Sequence, residues 1–284
     1  MKIKFKDGKI YKLPDFLVVG AAKSGTTSIY NYLKQHPEIF MSDIKEPWFF
    51  TFYGKKKVIQ NSPERLENIF LNVNDYTNLF TNSKNIQKIG EASPSYLYKY
   101  KKSISNIKKI YGDKYKLLKV IIILRNPVDR AWSMYNHFYR SQNETLTFNR
   151  AINNSIIKYR LENNWNIFYD YVGVGEYYNQ VINYLNEFKY VKIIFFEDLK
   201  NSPHNVLKDL YVFLGVDSNF FPNNIEKKYN QGGVIQNKYI IPLYKYYFKK
   251  DTFIKKLLKF LFQRMIWENI NILKIKNFFF FFFF

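Results

Sequence analysis

The sequence predicts an α/β fold in which helices cover both faces of a central, mostly parallel sheet. Short aliphatic runs recur along the chain, as expected of strands buried on both faces. Helical patterns alternate with those runs. The first run also passes through a turn of small residues directly into a helix. At 284 residues the chain is long enough for a core of several strands and helices.

Asp15-Phe16-Leu17-Val18-Val19-Gly20 reads as a buried strand ending at glycine. Ala21-Ala22-Lys23-Ser24-Gly25-Thr26-Thr27 is the turn, and residues 28–35 form a helix stopped by His36-Pro37. Lys88-Ile89-Gly90-Glu91-Ala92 is a short strand running into Ser93-Pro94-Ser95-Tyr96, and residues 103–111 read as a helix. Leu117-Leu118-Lys119-Val120-Ile121-Ile122-Ile123-Leu124 is the strongest strand. Pro127 sits at a favourable first-turn position for a helix reaching about Arg140. Residues 176–188 are helical, 191–196 a strand and 203–214 a helix. Ligands of such sheets sit at the C-terminal strand ends, here marked by Gly20, Ala92, Leu124 and Phe196. Residues 223–238 read as a loop holding Gly232-Gly233. The pattern gives one domain over 13–250 and a tail over 251–284. In that tail 252–276 is a basic helical segment, read either as a packing helix or as one lying on anionic lipid. Residues 278–284 are all Phe, a run that suggests a truncated or frame-altered end.

Composition excludes several functions. With no Cys there is no disulfide scaffold, thiol nucleophile or Cys-held metal. His36, His137 and His204 have no metal-ligand spacing, so no metal is expected. No apolar stretch approaches the ~18 residues of a membrane span, and the N-terminus lacks a secretory pattern, so a cytoplasmic location is expected. The formal charge of +21 favours anionic partners. Only 7 of the 44 basic residues are Arg, among abundant Lys, Asn, Ile, Tyr and Phe, so A/T-rich coding bias accounts for the surplus equally well.

Residues 20–27 compare with the nucleotide-triphosphate loop G-x-x-x-x-G-K-[ST]: Gly20, Gly25 and Thr27 fit, but the Lys stands at 23 and Thr at 26. The expectation is therefore a P-loop-like three-layer fold. Backbone N–H groups from Ser24 to Thr27 and the helix N-terminus would cradle a phosphate. A triphosphate hydrolase also needs an acid at a later strand end for Mg²⁺, and here Leu124 is followed by Arg125.

Residues 15–33 resemble the 5′-phosphosulfate loop of the sulfotransferases that use 3′-phosphoadenosine-5′-phosphosulfate (PAPS). Leu124-Arg125-Asn126-Pro127-Val128-Asp129-Arg130-Ala131-Trp132-Ser133 resembles their 3′-phosphate motif. Lys45-Glu46-Pro47-Trp48-Phe49-Phe50 resembles the base-carrying segment of the heparan-sulfate-type carbohydrate branch and its bacterial relatives. Gly90-Glu91-Ala92-Ser93-Pro94-Ser95-Tyr96 and Phe196-Glu197-Asp198-Leu199 match further landmarks, in the family's order.

The resemblance implies Lys23 as the cation that stabilises the leaving phosphate and Glu46 as the base that deprotonates the acceptor. It implies nucleotide binding by Lys23, Ser24, Gly25, Thr26, Thr27, Arg125 and Ser133, and by the backbone of Gly232 and Gly233. PAPS would be the donor, the bisphosphate PAP the product, and a saccharide or other hydroxylated compound the acceptor. His36 is a rival base but stands at a helix end, where His is commonly structural. Arg130 reads as a structural or helix-surface residue, and His137, one turn after Ser133, as a candidate contact. Phe196 and Tyr229 are candidates for adenine stacking or core packing. Some relatives carry Lys at the position of Ala92, so a second cation is missing there. Three other readings stay open: a P-loop nucleotide kinase or triphosphatase, a basic protein binding nucleic acid or membrane surfaces, and a decayed enzyme. Helix- and strand-patterned aromatics speak against nucleic acid.

Overall fold

The computed structural model describes residues 1–5, 8–58, 60–223 and 225. The expected loop and tail from 226 onward, with Tyr229, Gly232 and Gly233, lie outside them. Five strands form a parallel sheet: β3 (Phe16–Gly20), β4 (Ile39–Met41), β5 (Lys88–Ala92), β6 (Lys119–Leu124) and β7 (Tyr190–Phe195), in the order β4-β5-β3-β6-β7. An antiparallel hairpin, β1 (Lys2–Lys4) and β2 (Ile10–Lys12), precedes it. The helices are α1 (Thr26–Gln35), α2 (Phe49–Phe52), α3 (Val73–Asn78), α4 (Ser95–Tyr98), α5 (Tyr100–Tyr111) and α6 (Pro127–Arg140). They continue with α7 (Phe148–Ala151), α8 (Asn154–Glu162), α9 (Tyr177–Glu187), α10 (Phe196–Asn201) and α11 (Pro203–Leu214).

Strand alternation builds the three layers. Leu17, Val19, Val120 and Ile122 point to one face, packing with Leu97, Ile107 and Tyr184 of α4, α5 and α9. Phe16, Val18, Ile121 and Ile123 point to the other, against Ile29 and Leu33 of α1 and Leu207 and Leu210 of α11. A third cluster, with Trp48, Met134, Phe138, Phe168 and Tyr171, lies beyond the strand ends. The expected strands and helices are present, with α1 and α5 beginning earlier than their patterns suggested.

The order of strands fixes the site. From β3 the chain first builds β4 and β5 on one side, then crosses to β6 and β7 on the other. The C-terminal ends of β3 and β6 therefore diverge, opening a crevice where ligands of such sheets bind. Among the described residues, no helix is long and apolar enough to cross a membrane.

Candidate active site

A cleft of about 330 Å³ occupies that crevice. Its donor end is built by the turn after β3. Gly20 must be glycine because a Cβ there would stand 2.5 Å from the Leu97 Cβ. Gly25 caps α1 in the left-handed region (φ 95°), and a Cβ would press on Leu199 and Phe196 at 3.1 Å. No side chain caps α1, and its first turn holds no acid, so the positive end of the helix faces the cleft uncompensated. The Ser24 N–H is not available to a ligand as the sequence suggested: it donates to Ala21 O at 3.2 Å. The Ser24 hydroxyl is buried without a partner. Gly25, Thr26 and Thr27 line the cleft.

Lys23 also lines the cleft, from a left-handed backbone position (φ 66°). Burial pulls its ammonium down to about 8, helped by the charge of Arg140 and opposed by Glu46 and Glu64. Arg125, just past β6, donates Nη1 to Lys23 O at 3.2 Å and lies 4.6 Å from the Phe196 ring centroid. Its Nε is buried and unpartnered. Ser133 reaches the cleft from α6, whose start is fixed by Asn126 accepting from Val128 N and Asp129 N, with Pro127 in the first turn.

Glu46 also lines the cleft, near enough to Lys23 to act on its charge, and pairs with Lys45 at 3.0 Å. Trp48, Phe138 and Phe168 form an aromatic wall, with Trp48 and Phe168 ring centroids 5.3 Å apart. His137 faces Glu64 across 3.6 Å, and both line the cleft. Glu64, Leu66, Asn166 and Phe168 were not found from the sequence. They come from irregular segments without motif or periodicity, brought in by packing against α6.

The structure thus brings Lys23, Gly25, Thr26, Thr27, Glu46, Arg125 and Ser133 to one cleft. His36 is elsewhere: its Nδ1 accepts from Glu38 N at 3.1 Å and its Nε2 meets Asp217 O at 2.9 Å. Arg130 is wholly buried, not on the helix surface, and donates to Tyr171 O. Phe196 lines the cleft. Among the described residues no group of three or more His, Asp or Glu is arranged to hold a metal ion.

Residues 13–231 match the sulfotransferase domain family. The chain belongs to that family. A solved sulfotransferase from Alicyclobacillus acidocaldarius is 34% identical, with a TM-score of 0.64 over 78% of this chain and 87% of that one. The membrane-associated sulfotransferase kil1 of Dictyostelium discoideum is 36% identical over 132 residues, 46% of this chain but 24% of that protein. Carbohydrate sulfotransferase 15 of Rattus norvegicus is 28% identical over 51% of this chain and 30% of its own length. The chain therefore matches less than a third of either curated relative.

Proposed function

We propose that this sulfotransferase moves the sulfuryl group of PAPS to a hydroxyl or amine of a saccharide acceptor. The observation that carries the reading is the joint placement of Lys23, Arg125, Ser133 and Glu46 around one cleft. The carbohydrate sulfotransferase among the relatives supports the acceptor class.

The open groups fit a bisphosphorylated, sulfated nucleotide. The open N-terminus of α1 and Lys23 suit the 5′ end. Arg125 and Ser133 suit the 3′-phosphate: a forked, permanent cation with an open Nε beside a hydroxyl. In the reaction, the bond from sulfur to the bridging phosphate oxygen breaks as a bond from the acceptor oxygen or nitrogen to sulfur forms. The Lys23 ammonium, partly stripped of water, stabilises the charge left on the phosphate. Glu46 takes the acceptor proton once its carboxylate turns from Lys45 toward the cleft. The aromatic wall gives a sugar ring an apolar face to lie on.

Calorimetric binding of PAP, with ATP and 5′-AMP as controls and no Mg²⁺, tests the donor half. Binding that depends on the 3′-phosphate is expected; equal affinity for 5′-AMP would refute it. Sulfur-35 transfer from PAPS to a panel of neutral and anionic oligosaccharides tests the acceptor half.

A further inference from the structure

We propose that Glu91 is a positioning residue for the transfer step, holding the turn that carries Glu46 through Ser93 and Trp48; the proposal rests on the sulfuryl-transfer reading, in which Glu46 is the base. Glu91 stands in β5 opposite Leu17 of β3 and is wholly buried. One carboxylate oxygen, Oε2, accepts from the Tyr96 hydroxyl at 2.8 Å and the Tyr76 hydroxyl at 3.2 Å. The other, Oε1, has no hydrogen-bond partner. The titratable groups around it are Tyr76 of α3, Tyr96 of α4, Tyr111 of α5, Tyr184 of α9 and Glu46. None of these is a cation. A buried acid without a counter-charge is unfavourable for the fold, and such groups concentrate at functional sites.

The link to Glu46 is short. Ser93, two residues beyond Glu91, accepts the N–H of Trp48 at 3.2 Å. The Ser95 and Thr51 hydroxyls are 2.8 Å apart, and Asn106 Nδ2 donates to Phe50 O at 2.8 Å. These bonds fasten residues 48–51 to the end of β5, to α4 and to α5, and Glu46 is two residues upstream of the first. Having accepted from Trp48, the Ser93 hydroxyl keeps its own proton to give. It faces the Glu91 carboxyl and lowers its proton affinity without closing a hydrogen bond on Oε1. An ionised Glu91 draws that proton; a neutral one does not. The state of Glu91 is thereby passed to Trp48 and the Glu46 turn.

The same burial makes this coupling responsive near neutrality. Desolvation pushes the Glu91 carboxyl up to about 7, against the opposing Ser93, Tyr96 and Tyr76 hydroxyls. All four tyrosines are pushed above their ordinary value, chiefly by burial, so they stay neutral there.

Fluorine NMR of 5-fluorotryptophan-labelled protein tests the coupling without any nucleotide or acceptor, with the Trp48 signal assigned by its loss in Trp48→Phe. In the parent, that signal is expected to shift between about pH 5 and 9 with a midpoint near the Glu91 titration. Glu91→Gln keeps both tyrosine bonds on its amide oxygen but cannot ionise, so the shift should vanish. Ser93→Ala should also silence it while leaving Glu91 in place, and it decides the matter if the Gln variant does not fold. Release of PAP and sulfate from PAPS should slow on the order of tenfold in both variants, with PAP affinity within about twofold of the parent. A flat Trp48 signal in the parent, or one that titrates identically in both variants, overturns the proposal. A parent that fails to bind PAP sinks the donor reading instead and leaves the Trp48 titration to judge Glu91.

Discussion

Glu144 and Glu91 are both buried carboxyls, and the chain surrounds them in opposite ways. Glu144 receives two parallel bonds from Arg160 at 2.8 and 2.9 Å, one from the Tyr171 hydroxyl at 2.9 Å, and the N–H groups of Thr145 and Leu146 at 3.0 Å. Arg160 itself lies 4.8 and 5.0 Å from the ring centroids of Trp165 and Tyr169. Burial pushes Glu144 up, but Arg160, the Leu146 N–H and Tyr171 outweigh it and hold the carboxyl below its usual range. Glu91 has two hydroxyls, no cation and one open oxygen. The contrast repeats at the cleft, where Arg125 Nε and Glu64 Oε2 are buried and open. At Glu144 the hydrogen-bonding capacity of the charge is filled; at Glu91, Arg125 and Glu64 part of it is left open for a ligand or a mobile proton.

The largest effect expected from this division falls on stability. Arg160→Ala strands the Glu144 charge and should lower unfolding free energy by about 3–5 kcal/mol in urea titration. Lys23→Ala should do the reverse: turnover drops on the order of 10²–10³ while the thermal midpoint hardly moves, because the buried ammonium was unfavourable for the fold. Were Lys23→Ala to unfold the protein as Arg160→Ala does, the division would be wrong. The parent should also lose kcat/KM for PAPS above about pH 8, as Lys23 gives up its proton.

Glu91→Gln sharpens the comparison through pH. Glu91 titrates near 7 in the fold, against roughly 4.3 in an unfolded chain. Between those values the folded state holds the extra proton, so parent stability declines as pH rises through the window and the loss is complete above about 7. The Gln variant lacks that loss. It should be more stable than the parent by roughly 3–4 kcal/mol at pH 8, and the gap should close toward pH 4.5. The smallest effect is that of Arg125→Ala, which should weaken PAP roughly tenfold in calorimetry and leave 5′-AMP binding nearly unchanged.

These contrasts were only partly legible in the sequence. The central strands were, because parallel strands buried on both faces read as near-continuous apolar runs, and Phe16–Val19 of β3 and Val120–Leu124 of β6 do. The edge strand β4 was not: three residues carry no readable period. At the site, Lys23, Glu46 and Arg125 stood out because each sits in a local motif beside a strand end or in the turn before a helix, and Ser133 because it closes the motif that Arg125 opens, on α6. Glu64 and Asn166 did not, since only tertiary packing brings them to the cleft. Arg130 shows a different limit: its place on α6 is readable, but its burial against Tyr171 depends on residues 41 positions away.

The clamp on His36 has a consequence for the opposite end of its helix. With Nδ1 given to Glu38 and Nε2 to Asp217, and its ring 4.7 Å from those of both Tyr211 and Phe220, the imidazole pins the tail of α1 to the chain just past α11. Ten helical residues span about 15 Å, so α1 works as a beam moored at one end with its other end at the cleft. Any pull that a ligand in the cleft exerted on that end would be borne at the mooring, and cutting it would register as slack in a cleft that His36 never touches.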